Sequence, residues 1–218
     1  MSTPHSHLNR LLSANAQWAN DVRQSEPTFF KDSAKGQAPH TLWIGCADSR
    51  VPESVITGSR PGDLFVHRNI ANQFHPEDDS VLAVLKYAVD HLGVEHVVIV
   101  GHTFCGGAAA CLAAAQSGNT TVTLEHLPPT DPLNRWLAPL TQLTSTLGVT
   151  SASNDEALAL VVDENVKMQV DRLSKTPTIT NAWVNKNSKG KDVFIHGWVY
   201  DLASGKIRDL EVTRGPGQ

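Results

Sequence analysis

The sequence predicts an α/β fold in which a central, mainly parallel β-sheet is flanked by helices, with an antiparallel edge strand and an N-terminal helical arm. Three observations predict it. Short apolar runs that stop at glycine alternate with stretches whose apolar residues recur at helical spacing, the pattern of a parallel sheet with crossover helices. The last two apolar runs are separated only by a short turn, a connection that joins antiparallel neighbours. The chain of 218 residues has no internal repeat or low-complexity segment, so it reads as one domain over 1–218, with residues 1–35 as the arm.

Each element has its own justification. Leu8, Leu11, Leu12, Trp18 and Val22 suit one face of an amphipathic helix. Residues 31–40 are polar and read as a loop. Thr41-Leu42-Trp43-Ile44-Gly45 reads as a buried strand and 63–67 as a second. Val81, Leu82, Leu85, Ala88, Val89 and Leu92 mark a helix over 80–92, which Gly93 caps. The run 96–101 is the clearest buried strand. A helix starts near Cys105 and continues through alanines to Gln116. Residues 118–132 hold three prolines and read as a loop. Helices over 133–147 and 154–173 follow. Strands over 192–200 and 207–212 flank a turn at Ala203-Ser204-Gly205. This order places helices on both faces of the sheet.

Composition excludes several classes of function. Hydrophobic residues make up 40% and charged residues 18%, which is ordinary for a globular protein. A formal net charge of -4 is the wrong sign for a nucleic-acid footprint. No apolar run approaches the ~20 residues that span a bilayer. Residues 1–12 lack the apolar core of a signal peptide and carry only Arg10, so a cytoplasmic location is expected. Cys46, Cys105 and Cys111 are too few and odd in number for a disulfide framework. In a reducing compartment they point to metal binding or catalysis.

Cys46 follows the first strand directly, and His102 follows the strand 96–101. In open α/β sheets, ligands bind beyond the carboxyl ends of strands, so neighbouring strands deliver both residues to one crevice. Cys105 falls at the start of the next helix, where free N–H groups and the positive end of the dipole favour the thiolate that binds zinc. One nitrogen and two sulfurs suit Zn2+, and three protein ligands leave a fourth position open, the mark of a catalytic site. Taken alone, Cys46 also suits a small core position; the case rests on all three residues lying at strand ends or a helix start. Cys111 reads as helix packing. Two residues past Cys46 comes Asp48, and Arg50 stands two further on, spaced for a bidentate ion pair beside the metal.

Cys46-Ala47-Asp48-Ser49-Arg50 together with His102-Thr103-Phe104-Cys105-Gly106-Gly107 resembles the signature of the β-class carbonic anhydrases. The resemblance continues through Pro61-Gly62, 65–69, Tyr87-Ala88, Asn165-Val166, Gln169-Val170, Ala182-Trp183 and 196–198, and so covers nearly the whole chain. It implies one Zn2+ per chain on Cys46, His102 and Cys105, and reversible hydration of CO2 to bicarbonate and a proton. The nucleophile would be zinc-activated water, oriented by Asp48, which Arg50 holds. It further implies Gln37, Phe65, Ile70, Tyr87, Gly106 and Gly107 as the substrate pocket, and a homodimer or homotetramer. Trp43, Arg68 and Tyr200 resemble residues of a non-catalytic bicarbonate site that favours Asp48 on the metal. Their other reading is ordinary: Trp43 as strand core, Tyr200 as packing and Arg68 in a local pair.

Two other functions stay open at this level. Relatives with this fold and metal shell hydrolyse CS2 or COS, and pocket access separates them from CO2 hydration. A non-catalytic bicarbonate-binding zinc protein would lack one of the ligands or Asp48 and Arg50, all of which are present. The Gly101–Gly107 stretch lacks the spacing of a phosphate loop. His5, His7, His40, His67, His75 and His126 are further candidates for proton transfer, and the sequence singles none of them out.

Overall fold

The structure is a computed structural model and describes residues 5–120, 122–149 and 154–217. The chain falls into two compact units, Met1–Gln37 and Ala38–Gln218.

The first unit holds α1 (Ser6–Ser25) and α2 (Phe29–Ser33). α1 buries no residue, and Leu8, Leu11, Leu12 and Trp18 are exposed along it. Trp18 meets Phe30 edge to face at 5.6 Å between ring centroids, which ties the two helices together. The expected loop over 31–40 is therefore shorter, because α2 occupies its first residues.

The second unit is the sheet and its helices. β1 (Thr41–Cys46), β2 (Leu64–Asn69), β3 (His96–His102), β4 (Phe194–Asp201) and β5 (Lys206–Asp209) stand in the order β2-β1-β3-β4-β5. The first three pairings across that order are parallel and β4–β5 is antiparallel, so the mainly parallel sheet with an antiparallel edge is as expected. Leu42, Ile44, Val97, Ile99, Ile195 and Val199 face the larger core. There α7 (Asn154–Ser174) lays Val162, Val166 and Val170 against β3 and β4. Each such side chain, fully buried, stabilises the fold by roughly 1.5–3 kcal/mol. Strand alternation turns Trp43, Val98 and Val100 to the opposite face. They form a smaller cluster there, to which the short α3 (Glu53–Ile56) adds Ile56. Helices thus cover the two faces unequally.

The connections differ from expectation in instructive ways. The helix expected over 80–92 is α4 (Asp79–Lys86), capped by the Asp78 side chain on the Ser80 N–H, followed by a π-helical turn over Tyr87–Leu92. Gly93 ends it in the left-handed conformation at φ 65°, as a C-cap glycine does. α5 (Gly106–Gln116) and α6 (Pro132–Thr146) lie close to their expected spans. α8 (Pro177–Asn185) was not expected. β5 stops at Asp209 rather than 212, because Glu211 takes a positive φ of 58° that no strand continues through.

Candidate metal centre

Parallel pairing brings the three candidate ligands to one edge of the sheet. Cys46 ends β1, His102 ends β3, and the two strands are neighbours. Cys105 is the N-cap of α5, one position before the first turn where its spacing had placed it. At the N-cap, the nearby N–H groups of Gly107 and Ala108 favour the thiolate. The two sulfurs and the imidazole nitrogen lie within 4.8 Å of one another, and all three residues are buried.

The imidazole is fixed by its second nitrogen. His102 Nδ1 donates to the Thr103 carbonyl at 2.9 Å, which leaves Nε2 as the acceptor. Nε2 is buried and has no hydrogen-bond partner. A bare buried polar atom costs about 1–3 kcal/mol. A cation held by these three atoms would remove that cost, and the donor set of two sulfurs and one nitrogen fits Zn2+.

The sulfurs are electrostatically unequal. The Cys46 thiol is pushed down to about 4, first by its hydrogen bond with Cys105 and then, against burial, by His102. Cys105 is pushed up, first by that same bond and then by burial. Burial presses the His102 pKa down, but the neighbouring Cys46 sulfur outweighs it and the net direction is up. Cys111 lies apart on α5, with its Sγ 3.9 Å from the Leu137 carbonyl, and burial raises it to about 11.

Asp48 stands beside this cluster, its Oδ2 3.8 Å from His102 Nε2. Arg50 grips both carboxylate oxygens: Nε donates to Oδ1 at 3.0 Å and Nη2 to Oδ2 at 2.7 Å, while the Arg50 backbone N–H adds a bond to Oδ1 at 2.9 Å. These bonds hold the Asp48 carboxyl well below the usual range. Arg50 is itself anchored on the Phe104 carbonyl at 3.2 Å.

Sequence reasoning missed what holds the ligands in place. Arg68 Nε donates to the Cys46 carbonyl at 2.8 Å and Nη2 to the Asp48 carbonyl at 2.5 Å, and Nη1 faces Glu53 at 3.6 Å. Thr103 bonds Asp201 and accepts from the Leu202 N–H, tying the His102 segment to the end of β4. Behind the centre, Ala71 and Asn72 take positive φ values of 59° and 46°. That turn is held by a buried network in which Gln73 and Asn165 both donate to the Ala71 carbonyl and Gln169 bonds Asn165 and the Phe74 N–H. Asn165 and Gln169 carried only a resemblance in the sequence. Their spacing of four on α7 does place both amides on one helix face.

The expected pocket residues fall into groups. Phe65 and Tyr87 stack at 5.8 Å, and Tyr87 is exposed. Ile70 is exposed beside Gly107, where a Cβ would come within 3.0 Å of Ala71 and 3.4 Å of Ile70. At Gly106 a Cβ would meet nothing within 4 Å, so space does not require that glycine. Gln37 belongs to the first unit. Trp43 is buried and covers Gly45, the register partner of Arg68, so these two lie together on one face. Tyr200 pairs with His102 on β4, two strands away from Trp43.

A parallel sheet that presents a buried Cys–His–Cys cluster beside a clamped aspartate defines an α/β protein with a metal-type donor set at its carboxyl edge. A model of the carbonic anhydrase family matches residues 41–207. The carbonic anhydrase of Saccharomyces cerevisiae is 34% identical over 210 residues, spanning 94% of this chain and 90% of that protein. A tetrameric β-carbonic anhydrase of Sordaria macrospora superposes with a TM-score of 0.82 at 36% identity, covering 95% of this chain and 98% of that one. The β-carbonic anhydrase CafA of Aspergillus fumigatus has the same TM-score at 39% identity, over 95% and 92% of the two chains. The chain belongs to the carbonic anhydrase family, in its β class.

Proposed function

We propose that this chain catalyses the zinc-dependent, reversible hydration of CO2 to bicarbonate. The observation that carries the proposal is the buried, unpartnered His102 Nε2 facing two cysteine sulfurs, with a clamped carboxylate alongside. Cys46, His102 and Cys105 would hold the metal, which when bound supplies the acidified water that serves as nucleophile. Asp48, kept ionised by Arg50, accepts a hydrogen bond from that nucleophile and aims it. Both carboxylate oxygens are engaged by Arg50, which supports Asp48 as a positioned acceptor rather than a fourth ligand. Phe65, Ile70 and Tyr87 offer apolar surface to an apolar substrate, the N–H groups of Gly106 and Gly107 offer polar contacts to the product, and Gln37 is a substrate-binding candidate on the resemblance alone. Bicarbonate bound near Trp43, Arg68 and Tyr200 would compete with Glu53 for Arg68 and so disturb the Asp48 carbonyl that Arg68 holds.

The proposal includes one functional domain over 1–218 with residues 1–35 as an arm, in a homodimer or homotetramer. The exposed leucines of α1 and the exposed Ile70, Tyr87 and Phe104 support assembly, as does the tetrameric relative from Sordaria macrospora. Three free thiols support a reducing, cytoplasmic location, and no described helix is long and apolar enough to cross a membrane.

Stopped-flow CO2 hydration on protein of known zinc content tests the activity, and sedimentation tests the assembly. Turnover of CO2 that follows zinc content is the expected result. Zinc-loaded protein that ignores CO2 but turns over CS2 would replace this function with the related hydrolase. Protein that binds no zinc would remove both.

A further inference from the structure

The turn that joins His102 to Cys105 passes through a residue in an unfavourable conformation. Phe104 takes a positive φ of 55°, and its side chain is exposed. Left-handed backbone is costly for a residue with a Cβ, and a phenyl ring has no polar atom to bond locally as asparagine does. A residue stays in that region only where its surroundings hold it there. Both flanks of Phe104 are held. On one side its carbonyl accepts from Arg50 Nη2 at 3.2 Å, and that guanidinium also grips Asp48.

Thr103 is the other flank, and each of its polar groups is engaged. Its N–H donates to the Tyr200 carbonyl at 3.0 Å. Its Oγ1 donates to Asp201 Oδ1 at 3.1 Å and accepts from the Leu202 N–H at 2.9 Å. Its carbonyl accepts from His102 Nδ1 at 2.9 Å, the bond that leaves Nε2 for the metal. Asp201 is fixed in turn. Oδ1 also accepts from the Ala203 N–H at 3.0 Å, Oδ2 from the Ser204 hydroxyl at 2.6 Å, and the Asp201 carbonyl from the Gly205 N–H at 2.8 Å. A chain of hydrogen bonds thus runs from the β4–β5 turn through Thr103 to the imidazole.

We propose that Thr103 and Asp201 are positioning residues of the metal centre: their side-chain bond keeps Phe104 in the left-handed turn and so presets the spacing of His102 and Cys105. The inference rests on these two residues being zinc ligands. Ligands already at the right spacing lose little freedom on coordination, and the outer partner of a ligating histidine fixes its ring. Without the Thr103 hydroxyl, Asp201 Oδ1 and the Leu202 N–H lose their hold on the turn. Phe104 is then free to relax toward negative φ, which draws Cys105 away from His102, and zinc leaves faster.

The test is the rate of zinc release from the full, zinc-loaded chain into an excess of a colorimetric chelator. Thr103→Val keeps the shape and removes the hydroxyl. Its release is expected to quicken about 10–100-fold, the usual loss in metal affinity when an outer partner of a ligand goes. Thr103→Ser keeps the hydroxyl and should release zinc near the wild-type rate. Phe104→Gly carries the deciding signature. Glycine takes positive φ freely, so the turn no longer needs its clasp. Thr103→Val combined with Phe104→Gly should therefore hold zinc longer than Thr103→Val alone. A role in folding alone predicts the reverse, because a flexible glycine would loosen the turn further. Asp201→Ala breaks the same bond from the hairpin side and replaces Thr103→Val, alone and with Phe104→Gly, should that variant not fold. Three results would overturn the inference: wild-type release in Thr103→Val and Asp201→Ala, release from Thr103→Ser as fast as from Thr103→Val, or no slowing by Phe104→Gly. In each of them the zinc held by wild-type protein still stands for the metal centre. Wild-type protein that holds no zinc removes the centre itself, and the inference with it.

Discussion

Asp48 stays ionised because Arg50 donates to both of its oxygens, and it stays in place because Arg68 holds its carbonyl. Asparagine at this position keeps the shape but removes the ion pair and offers an N–H where an acceptor is needed. Asp48→Asn is therefore expected to retain fold and zinc and to lose about 10²-fold or more of CO2 hydration, a typical loss for a group that manages a proton. Stopped-flow rates with zinc analysis check it. His102→Gln has the opposite signature: zinc content falls together with activity, because a ligand is lost. Full zinc content in that variant would remove His102 from the donor set. Cys46 and His102 were legible in the sequence because each follows a glycine at the end of a strand, and Asp48, Arg50 and Cys105 were legible from their spacing to those two. The contacts that steady them were not. Arg68 to the Cys46 carbonyl and Thr103 to Asp201 join segments distant in sequence through backbone and hydroxyl groups, which leave no spacing to read.

At the scale of the element, the turn at 70–72 and α7 form one device. Two residues in left-handed conformation cost of order 1–3 kcal/mol each, and the amides of Gln73, Asn165 and Gln169 hold them there. Asn165→Leu strips a donor from the Ala71 carbonyl and an acceptor from Gln73 and Gln169. We expect a loss of ~1–3 kcal/mol, the penalty for a buried group left unmade, read as a lower urea midpoint with unchanged slope. An unaltered midpoint would show the network to be replaceable. Gly101→Ala probes the same contact from the strand: its Cβ would come within 2.7 Å of Val166, an overpacking worth typically 1–3 kcal/mol. α5 was legible from its run of alanines, and α6 and α7 from long stretches between turn signals. α8 was missed although Thr176 caps the Ile179 N–H and Pro177 takes the first helical position, both ordinary start signals. The π-helical turn after α4 leaves apolar spacing nearly unchanged, so periodicity cannot see it.

The whole molecule carries a pH dependence that no single site explains. Burial, as the leading cause, holds His67, His75 and His196 below the ordinary histidine value. In the unfolded chain each returns to about 6.5. Between the folded and unfolded values the unfolded chain binds more protons, so stability rises with pH through that window. The contribution is complete above about 6.5 and is lost as pH falls through the folded values. In zinc-loaded protein His102 would be a neutral ligand and drop out of this balance. The expected outcome is a urea midpoint that falls between about pH 7.5 and pH 5.5. Release of zinc in acid runs in the same direction, so a control is needed. The double substitution His67→Asn, His196→Asn leaves the three ligands intact and is expected to flatten the dependence. A slope unchanged by it would leave His67 and His196 without a part and turn attention to His75 and the metal ligands.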